Sequence, residues 1–352
     1  MERLRRSMYI MLIIGLSITF LYIASSLVLP LALAGLLAML FRGLSNRLEN
    51  RGYRRWLTAL ISVGIFISVL AIIGFLLTWQ LSTMNESLGD IQQRLTEKTL
   101  EFRDWIQKMA GISHAEQKVL LEEQAGAASD GAGKGLATFA LGTLGVLVDF
   151  ILVIVYMYLL LFYRTKIKNF ILMVTPEKSR KNTMVITGDA SQVAQQYLLG
   201  LVSMIGVLWG MYGIGFSIIG VQGALFFAVL CGLLEIVPFI GNLLGTSITL
   251  IAVLAQGGDS GMVLGVIAVY FVVQGVQTYI LEPLIVGKQV NINPLFTIIA
   301  LVAGEMLWGI AGMILAIPLV GIIKIICDQV ASLRPYGFLI GSEDKIDKNS
   351  KK

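Results

Sequence analysis

Long apolar runs alternate along this chain with short polar and basic segments, a pattern typical of membrane-spanning helices. A helix needs roughly 20 apolar residues to cross the hydrocarbon layer, and most of these runs approach that length. We predict an all-α polytopic integral membrane protein with about eight membrane-inserted helices, a C-terminal hairpin and a long extracytoplasmic amphipathic helix. The predicted segments are 1–79 (N-terminal membrane hairpin and third span), 80–135 (extracytoplasmic helical region), 136–190 (fourth span and cytoplasmic connector), 191–333 (C-terminal core) and 334–352 (cytoplasmic tail).

The first apolar run follows a basic head and continues past Pro30. A cleaved secretory signal has an apolar region of only about 7–15 residues, so we predict a retained membrane hairpin. Its returning arm, Leu31 to Phe41, is short for a full span. Arginines before and after the hairpin place both flanks on the cytoplasmic side by the positive-inside rule. Extended along the chain, that rule predicts that both termini are cytoplasmic.

An apolar heptad stripe marks the polar segment that follows the third span. Its 3.5-residue period suits a long helix packed against another helix, either of the same chain or of a neighbouring copy in a homo-oligomer. A helix lying flat on the outer leaflet is the third alternative, less favoured because acidic residues flank the stripe. The stripe consists of Leu81, Met84, Leu88, Ile91, Leu95, Phe102, Trp105, Met109 and Ile112.

Composition excludes several classes of chemistry. Apolar residues make up 56% of the chain and charged residues only 14%, whereas soluble domains carry about a quarter charged residues. The net charge of +5 fits cytoplasmic loops, because no basic stretch is interleaved with aromatic residues as in a nucleic-acid site. His114 is the only histidine, and Cys231 and Cys327 lie in apolar stretches. We therefore expect no metal centre, no cofactor and no enzyme activity.

The fragment Gly131 to Gly135 is similar to a phosphate-binding loop but lacks two of its required residues. Gly135 follows Lys134 where the motif needs Ser or Thr, and Ala128 occupies the position of the first glycine. We interpret the fragment as a flexible linker.

Proline, glycine and carboxylates interrupt the apolar core between Leu225 and Pro318. Broken helices and charged groups at membrane depth are tolerated where protein or a water-filled cavity surrounds them, and they mark transport pathways. These interruptions predict that 191–333 is a transport core. The candidate pathway residues are Glu235, Pro238, Gly241, Asn242, Glu305, Gly309, Gly312, Asp149 and Glu282.

Each candidate has a structural alternative. A carboxylate in such a bundle can cap a broken helix or pair with Lys288 or Lys324. Glu282 is expected near the cytoplasmic surface, which weakens its case as a pathway residue. Gly206 and Gly210, four residues apart, form a small-xxx-small pair that predicts close helix packing.

The interrupted core resembles the carboxy-terminal region of the autoinducer-2 exporter (AI-2E) family, and the resemblance extends over nearly the whole chain. The family pattern has a proline-aromatic-isoleucine-glycine break, an E-P-x-x-x-G-K segment and a glycine-rich hairpin that ends in A-x-P. One departure lies at Arg42-Gly43, where a proline is common in the family. The matching residues are Pro238, Phe239, Ile240, Gly241, Glu282, Pro283, Gly287, Lys288, Gly304, Gly309, Gly312, Ala316 and Pro318.

This resemblance implies a multi-pass transporter of a bacterial or archaeal inner membrane that forms homo-oligomers. We expect a secondary transporter that exports a small polar solute, with autoinducer-2 as a candidate, driven by an ion gradient or the membrane potential. The first alternative is a Na⁺(Li⁺)/H⁺ antiporter. The second is a non-transporting oligomeric membrane scaffold built on the outer helix. The expected partners are the lipid bilayer and a small polar solute or monovalent cation.

Overall fold

The computed structural model describes residues 2–84, 132–237, 240–286 and 291–342, and these residues are helical apart from short connections. The heptad stripe from Leu88 to Ile112 lies outside the described residues, as do Pro238, Lys288 and the end of the tail. The predicted outer helix therefore stays a prediction. The all-α class is confirmed.

Ten α-helices and one π-helical segment cover the described ranges. Within them, six helices are long and apolar enough to cross a membrane, and three apolar helices are shorter, at Met11–Ile23, Ala224–Leu234 and Gly241–Ala255. The expected count of about eight inserted helices stays a prediction. The helices are α1 Glu2–Ile23, α2 Ser25–Asn50, α3 Arg55–Met84, α4 Ala132–Val174, α5 Glu177–Ile219, α6 Ala224–Leu234, α7 Ile240–Ala255, α8 Ser260–Val276, the π segment Gln277–Val286, α9 Pro294–Gln329 and α10 Arg334–Ile340.

The first compact unit comprises Met1–Val69, Asp149–Met204 and Tyr279–Lys352. Small residues on α2 allow it to pack closely against α3 and α4, because alanine side chains let helix backbones approach. The buried core of this contact consists of Ala34, Ala38, Ala59, Val63, Val153, Met157 and Leu161.

The opening segment is divided at Ala24 (φ −86°, ψ 17°), the single residue between α1 and α2. Helix α2 runs through Pro30 without ending, and the predicted arm from Leu31 to Phe41 lies inside it. The membrane hairpin and its short returning arm stay a prediction. Proline in a helix removes one backbone hydrogen bond, but the packing of α2 against α3 and α4 outweighs that local loss.

Helix α9 of the same unit contains the predicted glycine hairpin. Its backbone leaves helical geometry at Trp308 (φ −141°, ψ 18°) and Gly309 (φ 61°, ψ −144°). Beyond the kink, a Cβ placed on Gly312 would lie 1.9 Å from the Gly304 carbonyl oxygen, so only glycine fits. Trp308 Nε1 donates a hydrogen bond to the Leu21 carbonyl oxygen at 3.0 Å, which ties the kink to α1.

The second compact unit comprises Leu70–Val148 and Ile205–Thr278. Gly220 (φ 83°) and Gly223 (φ 73°) occupy left-handed conformations between α5 and α6. Helices α6 and α7 then pack with their backbones close together, because a Cβ on Gly245 would lie 2.9 Å from Cys231 Cα. These short helices position the polar side chains described below.

Gly206 and Gly210 do not make the close helix contact that their spacing predicts with any described residue. A Cβ added to either would meet no atom within 4 Å there. Close packing at this glycine pair therefore stays a prediction.

Candidate functional site

Five polar side chains from α5, α6, α7, α8 and the π segment meet inside the second compact unit. We call them the polar cluster: Tyr212, Glu235, Asn242, Gln274 and Gln277. Four are almost completely buried, with exposed fractions of 1% for Tyr212 and Gln277 and 3% for Glu235 and Asn242. Buried polar groups are costly unless they form hydrogen bonds, and these four do so with one another.

Asn242 is the centre of the cluster. Its Oδ1 accepts a hydrogen bond from the Tyr212 hydroxyl, and its Nδ2 donates to Gln274 Oε1. The same Nδ2 lies 3.4 Å from Gln277 Oε1. The Asn242 side chain therefore accepts through its oxygen and donates through its nitrogen. These contacts orient the amide, with the oxygen towards Tyr212 and the nitrogen towards the two glutamines.

Glu235 joins the cluster through Gln277. The Gln277 Nε2 donates to Glu235 Oε1 at 2.5 Å, a short charge-assisted contact. A carboxylate at this depth requires donors around it, because an ionised group in an apolar medium is strongly destabilised.

A hydrogen-bonded path runs from the buried carboxylate towards the molecular surface. It passes from Glu235 through Gln277 and Asn242 to Gln274, which is only half-buried. Gln274 Nε2 then donates to the hydroxyl of exposed Thr278 at 3.1 Å. The path offers oxygen acceptors and amide donors in sequence, which suits a polar solute, a monovalent cation or a proton.

Gly241 shapes the chain where α7 begins beside the end of α6. A Cβ on Gly241 would lie 1.8 Å from the Leu234 carbonyl oxygen, so a side chain cannot be accommodated. The Gly241 amide donates to the Val237 carbonyl oxygen at 3.0 Å. This close approach brings Glu235 and Asn242 to the same side of Gln277, which contacts both side chains. Both residues flank the break that the sequence predicts. Pro238, the other residue assigned to that break, lies outside the described residues.

The remaining candidates lie elsewhere. Asp149 and Glu305 have exposed side chains in the described chain, and Glu282 is half-buried in the π segment. Gly309 and Gly312 form the α9 kink and its close contact. Lys324, considered as a partner for a pathway carboxylate, pairs with Asp328 at 2.5 Å on its own helix. Their assignment to a pathway stays a prediction.

The sequence pattern did not identify Tyr212, Gln274 or Gln277 as candidate site residues. Tyr212 stands in an apolar helix where an aromatic residue is expected to be core, and its partner is 30 positions away in sequence. Gln274 and Gln277 lie at the polar end of the apolar helix that precedes Glu282. Their spacing of three places them on one helix face, and that signal could have linked them to each other.

Comparison with known proteins places the chain in a family. Residues 7–332 match the AI-2E family transporter description. The chain belongs to the AI-2E transporter family. It is 27% identical to the candidate transport protein YueF of Bacillus subtilis over 321 residues, covering 87% of this chain and 84% of YueF. It is also 27% identical to the candidate permease PerM of Escherichia coli K12 over 330 residues, covering 90% and 91% of the two chains.

A second Bacillus subtilis relative, the candidate transport protein YrrI, is 24% identical over 330 residues, or 90% of each chain. Together with the six long apolar helices, these relatives support a multi-pass membrane protein with a role in transport.

Proposed function

We propose that this AI-2E family member is an inner-membrane secondary transporter whose pathway passes the polar cluster, exporting a small polar solute. The observation that carries the proposal is the buried Glu235 carboxylate, bound to Gln277 between two short apolar helices. Intramembrane ionisable groups that face protein neighbours commonly mark substrate and ion routes.

The short length of α6 and of α7 supports the proposed transport pathway. Their 11 and 16 residues rise by roughly 16 and 24 Å, whereas the hydrocarbon layer is about 30 Å thick. Neither helix spans that layer unaided. Discontinuous helices of this kind often carry the substrate and ion sites of secondary transporters, because their ends expose backbone groups at membrane depth.

The solute is proposed to be small and polar because the cluster presents amide and carboxylate groups. Autoinducer-2, a hydroxylated furanone, fits that chemistry through its hydroxyl groups. A gradient of ions or the membrane potential would drive its export. The proposal includes both termini in the cytoplasm, and the distribution of basic residues supports that orientation.

Exchange of Na⁺ or Li⁺ for H⁺ is the second candidate, and Glu235 favours it specifically. A buried carboxylate binds either a proton or a hard monovalent cation through the same oxygens, which is the basic requirement of an antiporter. The neighbouring amide oxygens of the polar cluster are suitable additional ligands. Antiport predicts that Glu235 releases a proton when it binds the cation.

Transport by the full chain in liposomes tests both candidates. Vesicles loaded with autoinducer-2 are followed for efflux, and vesicles with an entrapped pH indicator are followed on addition of Na⁺ or Li⁺. The first proposal predicts efflux that increases with an imposed ion gradient. Antiport predicts a pH change on cation addition and none in protein-free vesicles. If neither signal exceeds that of protein-free vesicles, both candidates are contradicted.

A further inference from the structure

A basic cavity of about 630 Å³ lies within the first compact unit and has no part in the proposed pathway. It is lined by parts of α2, α3, α4, α5 and α9. Its charged lining residues are Arg42, Arg55, Arg164 and Lys168, and none of the described residues in its wall is acidic.

One nearby carboxylate offsets only part of this charge. Glu49 lies 2.6 Å from Arg164 Nη2 and 3.6 Å from Arg55 Nε. It also accepts a hydrogen bond from the Thr58 hydroxyl at 3.2 Å, so its oxygens are already engaged. The cavity therefore retains a surplus of positive charge.

Two guanidinium groups are held in place with donors to spare. Arg42 Nη1 donates to the Ser191 hydroxyl at 2.7 Å, which fixes the side chain against α5. Arg164 Nη1 is buried and has no hydrogen-bond partner among the described residues. Both side chains line the cavity, and a guanidinium carries five N–H donors, more than the contacts of either side chain use.

The chemistry of the wall favours a phosphate group. Guanidinium groups match phosphate oxygens with paired N–H donors, more specifically than lysine does. Hydroxyl groups of Thr165 and Ser191 also line the cavity and are further donors, whereas the Thr187 hydroxyl already donates to backbone carbonyls of α5. Apolar residues such as Leu160, Ile171 and Ile322 line it as well, so the cavity also accommodates an apolar portion of a ligand.

We propose that the basic cavity binds a phosphoester anion, supplied either by an anionic lipid headgroup or by a soluble phosphorylated solute. The proposal concerns a site separate from the polar cluster. Its test does not depend on whether solute or ions pass Glu235.

Binding to the full-length protein in phosphatidylcholine nanodiscs tests this site. One arm incorporates increasing fractions of phosphatidylglycerol and counts bound lipid by native mass spectrometry. The other arm titrates glycerol 3-phosphate and follows heat by calorimetry. The test variant is the double substitution Arg42→Gln with Lys168→Gln. Its matched control is Arg47→Gln with Lys166→Gln, which removes the same charges from the same two helices outside the cavity wall.

We expect saturable binding in at least one arm, weakened roughly ten-fold or more by the test variant and less than about two-fold by the control. Saturation by phosphatidylglycerol alone supports the site and identifies a lipid source. Saturation by glycerol 3-phosphate supports it with a soluble source. Absence of saturable binding in both arms, or equal weakening by both double variants, overturns the proposal.

A folding defect in the test variant would be visible as a changed size-exclusion profile. In that case Lys168→Gln alone is compared with Lys166→Gln alone, because both side chains are exposed and a change at either leaves the core intact. Weaker binding of the Lys168 variant than of the Lys166 variant supports the proposal. Equal binding contradicts it.

Discussion

Gln277 donates a 2.5 Å hydrogen bond to Glu235 although the two residues are 42 positions apart and both are almost completely buried. This contact connects the end of α6 to the first residue of the π segment. It holds a carboxylate inside an apolar helical unit, where an unsatisfied carboxylate would destabilise the fold. The proposed transport pathway depends on this arrangement.

Replacement of Gln277 by Leu should lower the free energy of unfolding by about 1–3 kcal/mol, because Glu235 then loses a donor in a buried site. The measurement is the thermal unfolding midpoint of the purified protein in detergent. Gln196→Leu, at an exposed position on α5, is the matched control. If the two variants unfold at the same midpoint, the Gln277 contact contributes no stability.

Tyr212→Phe removes only a hydroxyl, yet it should cost about 1–2 kcal/mol, since Asn242 Oδ1 then loses its buried donor. Tyr197 is similarly buried and has no hydrogen bond to another described residue, so Tyr197→Phe is the control. Unfolding midpoints of the two variants, measured side by side, should differ. A larger loss from the Tyr197 change would argue against the described hydrogen bond.

Gly312→Ala should prevent normal folding, because its Cβ would lie 1.9 Å from the Gly304 carbonyl oxygen and both groups belong to the backbone. Gly206→Ala introduces the same methyl group into open space in the middle of α5 and should be neutral or stabilising by up to about 1 kcal/mol. Abundance of monodisperse protein after extraction distinguishes them. Normal yield of the Gly312 variant would contradict the close contact within α9.

Glu49→Gln should destabilise the protein by about 1–3 kcal/mol. The half-buried Glu49 carboxylate forms an ion pair with Arg164 and accepts a hydrogen bond from the Thr58 hydroxyl. Glu177→Gln is the control, since its ion pair with Arg180 at 3.6 Å is largely exposed and such pairs contribute about 0–1 kcal/mol. Chemical or thermal unfolding of both variants provides the test. A destabilisation no larger than that of the control would remove the structural role assigned to Glu49.

The breaks in the C-terminal core were predictable because they have local causes. Glycine at 309 and at 241 permits conformations and close approaches that other residues do not, and both effects appear at the same sequence positions in the structure. The sequence also indicated Glu235 and Asn242, since polar residues in an apolar stretch stand out without any knowledge of packing.

Other features depended on contacts between distant segments. A proline such as Pro30 commonly ends a helix, but α2 continues through it. The alanine side chains of α2 are buried against α3 and α4, and this packing depends on residues distant in sequence. Glu305 follows Gly304, whose backbone packs against Gly312. Successive residues of an α-helix point about 100° apart around its axis, so the Glu305 side chain points away from that contact and is exposed. The role of Tyr212 depends on Asn242, and no local pattern links them.

The most direct test of the account compares Glu235→Gln with Glu177→Gln in liposomes containing equal amounts of folded protein. Glutamine at 235 keeps an oxygen that accepts from Gln277 but can neither carry the charge nor exchange a proton. Transport by the Glu235 variant should fall roughly ten-fold or more, a change of about 1.4 kcal/mol or greater. The Glu177 variant, altered at an exposed carboxylate at the start of α5, should keep most of its transport. Wild-type rates in the Glu235 variant would contradict the central claim.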